Sequence, residues 1–196
     1  MKSKIPTLIL AAGNSERMGR PKQLLAWGEV TVIEHIVGQL LSVDTDPVYV
    51  VLGANHKAIL NKLQHLNCSC VVNPNWQEGF ASSLKFGVQE IIKTGHDSVL
   101  VTLADTPTLP TSHFKTLKTG FRQANMAIVN SGFSNCTGVP TIFNESVFKE
   151  ILTLKGDSGA GALIAQYMHK TIPFGYPFED IDTPEAYREL LKKIDT

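Results

Sequence analysis

Apolar runs of strand length alternate with segments of helical period along this chain, and the alternation begins at once. Leu8, Ile9 and Leu10 form a run that stops in the small residues Ala11, Ala12 and Gly13. A polar loop carrying Arg17, Gly19, Arg20 and Lys22 follows. Residues 31–41 place Val32, Ile33, Ile36, Val37, Leu40 and Leu41 at helical spacing. The run VYVVLG after Pro47 predicts a second buried strand, and residues 55–66 a second helix. Residues 70–72 read as a short strand, 81–93 as a helix, and 98–103 as a buried strand ending at Asp105. A helix over 111–124 and a strand over 126–129 come next. Beyond a stretch rich in Gly, Ser and Asn, residues 139–143 read as a strand outside the simple alternation. Helices are expected over 145–154 and 160–168, and a strand-like stretch reaches Asp180-Ile181-Asp182. Thr183 and Pro184 supply an N-cap and a first helical residue for the last helix.

Such alternation predicts an α/β protein with a mostly parallel central sheet and helices on both faces. Ligands of open parallel sheets bind outside the carboxyl ends of the strands. That rule gathers residues 13–22, Gly53, Asn73, Asp105 and the neighbourhood of Asp182 at one edge. The chemistry of those residues suits a phosphorylated ligand. Backbone amides of the opening loop can form an anion-binding nest, to which Arg17 and Lys22 add full charges. The loop lacks both the Gly-Lys-Ser/Thr ending of a Walker loop and the GxGxxG spacing of a dinucleotide fingerprint.

Asp105, after a buried strand and before Thr106-Pro107, is placed to hold Mg²⁺, which proteins bind through one or two carboxylates plus substrate phosphates. It equally suits a turn aspartate bonding its own backbone. Asp180 and Asp182 alternate, so on a strand they would share a face, and either is a candidate second ligand. Helix capping beside Pro184 is the other reading of Asp182. Asn73 and the segment 79–83, including Ser83, can reach a nucleotide from the third strand and the next helix. Loop 155–159, Lys-Gly-Asp-Ser-Gly, can meet a second substrate through its amides or be a plain connection.

Composition narrows the rest. At 196 residues one domain is expected, and a hydrophobic fraction of 43% is ample for its core. Lys plus Arg equals Asp plus Glu at 18 each, which argues against a general nucleic-acid or membrane-surface binder. Cys68, Cys70 and Cys136 are too few for a disulfide framework and fit a reducing, cytoplasmic setting. The pair Cys68/Cys70 has no second pair, and the six histidines show neither HxH nor HExxH spacing, so no zinc site is expected.

The block LAAGNSERMGRPKQLL resembles the signature of MobA-like nucleotidyltransferases, most closely the molybdenum cofactor cytidylyltransferase branch. NPNWQEGFASSLKFG, LADTPTLP, GVPTIF, LKGDSGAGALI and DIDTPEAY follow in the family's order, covering nearly the whole chain. The resemblance implies a Rossmann-like three-layer nucleotidyltransferase fold, with residues 1–105 as the nucleotide half and 106–196 as the acceptor half. It implies Mg²⁺-dependent attack of the terminal phosphate of molybdopterin on the α-phosphate of CTP, with loss of pyrophosphate. By the same resemblance Leu10, Ala11, Ala12 and Gly13 line the base and ribose, and Arg17 and Lys22 hold the triphosphate. Asn73 and Ser83 contact the nucleoside, Asp105 binds Mg²⁺, and Asp182 is its second ligand.

Guanylyl-transferring relatives usually carry Gly-Gly where this chain has Ala12-Gly13, so the Ala12 methyl is expected to narrow the base site toward a pyrimidine. Three departures fall elsewhere. The family's Gly-Asp-Gln-Pro reads Ala104-Asp105-Thr106-Pro107, its Gly-Ala-Arg has Gly161 for the Arg, and its Gly-His/Asn-Pro reads Gly138-Val139-Pro140. The last two lie in the acceptor half. Other readings are the same fold with GTP or with a sugar or polyol phosphate, and a non-catalytic carrier that delivers the cofactor to a client molybdoenzyme.

Overall fold

The computed structural model describes residues 4–159 and 161–193. Among them seven strands form one sheet, in the order Ser69–Val72, Val48–Leu52, Thr7–Ala11, Ser98–Leu103, Thr137–Asn144, Ile128–Gly132 and His169–Pro173. Its first half comprises β1 (Thr7–Ala11), β4 (Val48–Leu52), β5 (Ser69–Val72) and β6 (Ser98–Leu103), all parallel. β8 (Thr137–Asn144) runs antiparallel between β6 and β7 (Ile128–Gly132), and β9 (His169–Pro173) pairs in parallel with β7. β8 is thus the strand outside the alternation that the sequence marks at 139–143.

Every residue of β1 is buried, as expected of a strand covered on both faces. Ile9 and Ala11 face a core filled from α1 (Val32–Leu41), α2 (His56–Leu63), α4 (Thr111–Ala124) and α7 (Pro184–Lys192). Leu8 and Leu10 face a second core filled from α3 (Phe80–Lys93), α5 (Phe148–Ile151) and α6 (Gly161–Ile164). The three layers follow directly from the two-residue period of the strand. Helix starts are locally encoded. Thr31 and Glu34 form a capping box on α1, and the Thr183 hydroxyl accepts from Ala186 N at 3.2 Å on α7. The cap of α7 is therefore Thr183, which frees Asp182 for other work.

A two-strand hairpin, β2 (Ala26–Trp27) with β3 (Val30–Thr31), precedes α1 where the sequence carries no strand expectation. Three expectations need correction. The helix expected over 145–154 is a single tight turn, Glu145–Val147, followed by the short α5. The helix expected over 160–168 is only α6, and its expected first residue, Ala160, lies outside the described residues. The last strand is β9, and the stretch through Asp180 and Asp182 is not a strand. β9 escapes pattern reading because it is an edge strand whose only buried residue is Ile172. The later stretch is held by one backbone bond, Ile181 N to Asp105 O at 2.9 Å, and by the fully buried Ile181 side chain. Asp180 and Asp182 flank that anchor.

Candidate active site

The carboxyl ends of β1 and β6 open into a cleft of about 390 Å³ whose lining includes Leu10, Ala11, Ala12, Gly13, Lys22 and Asp105. Its opening loop is shaped by side chains. Gln23, 1% exposed, donates from Nε2 to Ala11 O and to Gly13 O, both at 3.2 Å. The Ser15 hydroxyl accepts from Lys22 N at 3.1 Å, and Met18 is buried beneath the loop. Pinning both carbonyls on either side of Ala12 fixes the turn without any glycine motif. Nothing in the sequence marks Gln23, because its partners are backbone atoms ten and twelve residues away.

Gly53 makes the next wall possible. A Cβ there would stand 2.5 Å from Trp76 Cβ and 2.7 Å from Ala12 O, so only glycine lets Trp76 close onto the end of β1. Trp76 and Phe80 line the cleft and extend the set of residues expected there. Ser83 also lines it. The structure places Asn73 behind Ser83. Asn73 is 2% exposed, donates to Ser82 Oγ at 3.0 Å and Ser83 Oγ at 3.2 Å, and accepts from Asn75 N at 3.0 Å. Its carboxamide thereby orients the first turn of α3.

Lys22 and Asp105 line the cleft, and further charged residues join them through ion pairs. Lys22 Nζ is ion-paired with Asp105 Oδ2 and stands 3.7 Å from Asp182 Oδ1. Arg17, largely in solvent, pairs with Asp182 Oδ2 at 2.7 Å. Asp105 is buried, and its Oδ1 has no hydrogen-bond partner. Asp180 is half-buried. Desolvation first, then the charges of Asp105 and Asp182, push its carboxyl above the usual aspartate range, against the pull of Lys22. Three carboxylates thus face two cations, one of them exposed. The charges do not balance, and one buried Asp105 oxygen is left without a partner. Among the described residues no three His, Cys, Asp or Glu side chains converge closely enough to hold a metal unaided.

The other candidates stay apart. Cys68 and Cys70 lie at the far edge, by β5, with sulfurs 4.0 Å apart. Loop 155–159 does reach the cleft, through Asp157. Among the described residues no helix is long and apolar enough to cross a membrane.

Comparison with known proteins places this geometry. The chain is 28% identical to nicotine blue oxidoreductase of Paenarthrobacter nicotinovorans, over 94% of this chain and 95% of that protein. It is 29% identical to the purine catabolism protein PucB of Bacillus subtilis, over 92% of each. Among solved structures, the homolog of Rv0371c from Mycobacterium sp. strain JC1 superposes with a TM-score of 0.87 at 26% identity, covering 100% of this chain and 98% of that one. Rv0371c of Mycobacterium tuberculosis, solved in complex with manganese, shares the fold with a TM-score of 0.79 at 24% identity, covering 97% and 99%. The model of the MobA-like NTP transferase domain matches residues 7–171, most of the three-layer fold together with the opening loop and Asp105, and the chain belongs to that family.

Proposed function

We propose that this protein is a Mg²⁺-dependent nucleotidyltransferase that moves CMP from CTP to the terminal phosphate of molybdopterin. A phosphate oxygen of the acceptor bonds to the α-phosphorus of CTP, the bond to the β-phosphate oxygen breaks, and pyrophosphate leaves. The observation that carries this reading is the pair Lys22 and Asp105 in the lining of a cleft walled by residues 10–13, with Asp182 beside Lys22 and Arg17 on Asp182. No side-chain nucleophile is needed, because positioning and charge neutralisation supply the catalysis.

In this reading residues 1–105 serve the nucleotide and 106–196 the acceptor. Leu10, Ala11, Ala12 and Gly13 line base and ribose, with the methyl of Ala12 favouring a pyrimidine. Ser83 faces the nucleoside, and Asn73 acts by holding Ser83 in place. Lys22 and Arg17 turn from their carboxylate partners to the triphosphate. Asp105, through its unpartnered Oδ1, and Asp182 hold the metal. Mg²⁺ supplies charge neutralisation and orientation of the phosphates. The manganese complex of Rv0371c supports the use of a divalent cation by a protein of this fold. The acceptor assignment rests on the order of the sequence blocks, and the purine catabolism role in the name of PucB does not specify an acceptor.

The test is pyrophosphate release with Mg²⁺ from CTP, GTP and ATP, each offered molybdopterin or a panel of sugar and polyol phosphates. Release with CTP and molybdopterin is expected. Release only with a sugar or polyol phosphate would move the acceptor. Molybdopterin binding without turnover of any nucleotide would make the protein a carrier.

A further inference from the structure

Loop 155–159 belongs in sequence to the acceptor half, yet it is fastened to the first turn of α3 in the nucleotide half. Ala81 N donates to Gly156 O at 2.9 Å, and Phe80 N donates to Asp157 Oδ1 at 3.2 Å. Ser82 N donates to Gly79 O at 3.2 Å. The first three amides of α3 are thus taken by protein oxygens, and this helix start is an anchor for the loop rather than a free phosphate site.

Gly79 is what admits the anchor. It has φ 101°, and a Cβ there would stand 2.6 Å from Asp157 Oδ1 and 2.7 Å from both C and O of Gly156. The backbone geometry before α3 is therefore fitted to the incoming loop. Asp157 also lines the cleft that holds Lys22 and Asp105. One carboxylate consequently touches both the helix of the nucleotide half and the space where two anionic substrates must meet. Held on an amide at the positive end of α3, its charge is partly offset. Released, it would be a free anion in the path of a phosphate.

We infer that Asp157 is a positioning residue that clamps loop 155–159 to α3 and so sets the wall against which the acceptor is presented to the nucleotide. The assignment of acceptor and nucleotide rests on the transferase reading above. The clamp itself does not.

Asp157→Ala, Asp157→Asn and Gly79→Ala test it with two readouts. In the free protein, amide exchange at Phe80, Ala81 and residues 155–159 is expected to be about tenfold faster in Asp157→Ala, with Asp157→Asn close to wild type because its Oδ1 still accepts. Gly79→Ala, whose added Cβ crowds both the Asp157 carboxylate and the Gly156 backbone, is expected to speed the same amides. In turnover, Asp157→Ala is expected to raise KM for the acceptor about tenfold while kcat and KM for the nucleotide stay within about threefold, and Asp157→Asn to restore it. Unchanged exchange in Asp157→Ala would overturn the clamp. A rise in nucleotide KM equal to that of the acceptor would overturn the positioning role. Absence of any turnover by the wild type would instead sink the transferase reading, and the exchange comparison would then decide the clamp alone.

Discussion

Two charge clusters of nearly the same composition sit at opposite ends of the sheet. At the carboxyl end, Lys22 lies between Asp105 and Asp182, with Arg17 on Asp182. At the amino end, Lys118 lies between Asp44 and Asp46, at 3.0 and 3.1 Å, with Arg122 3.4 Å from Asp46. The second cluster is closed. Lys118 has a 3% exposed side chain, both oxygens of Asp44 accept from it, and Asp46 Oδ2 also accepts from Ile5 N at 3.1 Å. It ties the 44–46 turn and the start of the chain to α4. The first cluster is open. A third carboxylate, Asp180, is pushed toward its neutral form, Asp105 Oδ1 has no partner, and Arg17 stands in solvent. A cavity of about 480 Å³ lies at the amino end too, with Phe121, Arg122 and Asn125 in its lining, so cavity size does not separate the two ends. What separates them is whether the charges are satisfied. The amino-end cluster is satisfied and holds the fold, whereas the carboxyl-end cluster keeps an unpartnered buried oxygen, as the proposed function needs.

The sharpest way to break this comparison is to delete each lysine. Lys22→Ala is expected to lower turnover about a thousandfold, about 4 kcal/mol of transition-state stabilisation. It also leaves Asp105, Asp180 and Asp182 facing only Arg17, so added Mn²⁺ should raise its thermal midpoint. Lys118→Ala removes the partner of a buried carboxylate and is expected to cost about 3 kcal/mol of stability, roughly 9 °C. Mn²⁺ should give no rescue there, and turnover measured below the new midpoint should be near normal. Equal rescue of the two variants in differential scanning fluorimetry would erase the distinction drawn between the clusters.

A smaller effect comes from the buried histidines. Burial holds His113 and His35 below the ordinary histidine value, and for His35 desolvation outweighs its contact with Pro107 O. The Ser131 hydroxyl gives its hydrogen to Pro140 O at 2.7 Å, so it accepts from His113 Nε2, 2.8 Å away. With a folded pKa lowered, the unfolded chain binds more protons below about 6.5, and stability falls as pH drops from there toward the folded values. Raised Asp180 acts in the opposite sense, relieving strain on acidification, but only nearer the carboxylate range. Thermal midpoints from pH 7.5 to 5.5 should therefore decline, and less steeply in His113→Phe. A flat profile in the wild type would show that these rings are not held neutral. The smallest expected effect is on base choice. Ala12→Gly should shift the CTP/GTP ratio of kcat/KM toward GTP by a few-fold, the order expected of one methyl group. An unchanged ratio would remove Ala12 from specificity.

The contrast also explains what could be read in advance. Arg17, Lys22 and Asp105 are legible because each follows a strand signal, and one rule about parallel sheets brings such ends together, whereas Asp182 lies on no strand and joins them through the anchor of Ile181 on Asp105 O. The closed cluster is not legible, since Lys118 meets Asp44 and Asp46 across 74 and 72 residues and no pattern announces the meeting. Gln23 is hidden for the same reason, since its amide nitrogen serves two backbone carbonyls that no pattern links to it. β9 was hidden because its edge position leaves most of it exposed, and Asp180 and Asp182 were placed on a strand when a single backbone bond to Asp105 O does that work.

The central claim is that the open cluster is a metal-assisted phosphate-transfer site in which Asp105 is indispensable. Pyrophosphate release from CTP and molybdopterin by Asp105→Ala, beside the wild type and with the thermal midpoint of both recorded, tests it most directly. The expected result is release reduced by at least about a thousandfold with the fold retained. Full release by a folded Asp105→Ala protein would contradict the account.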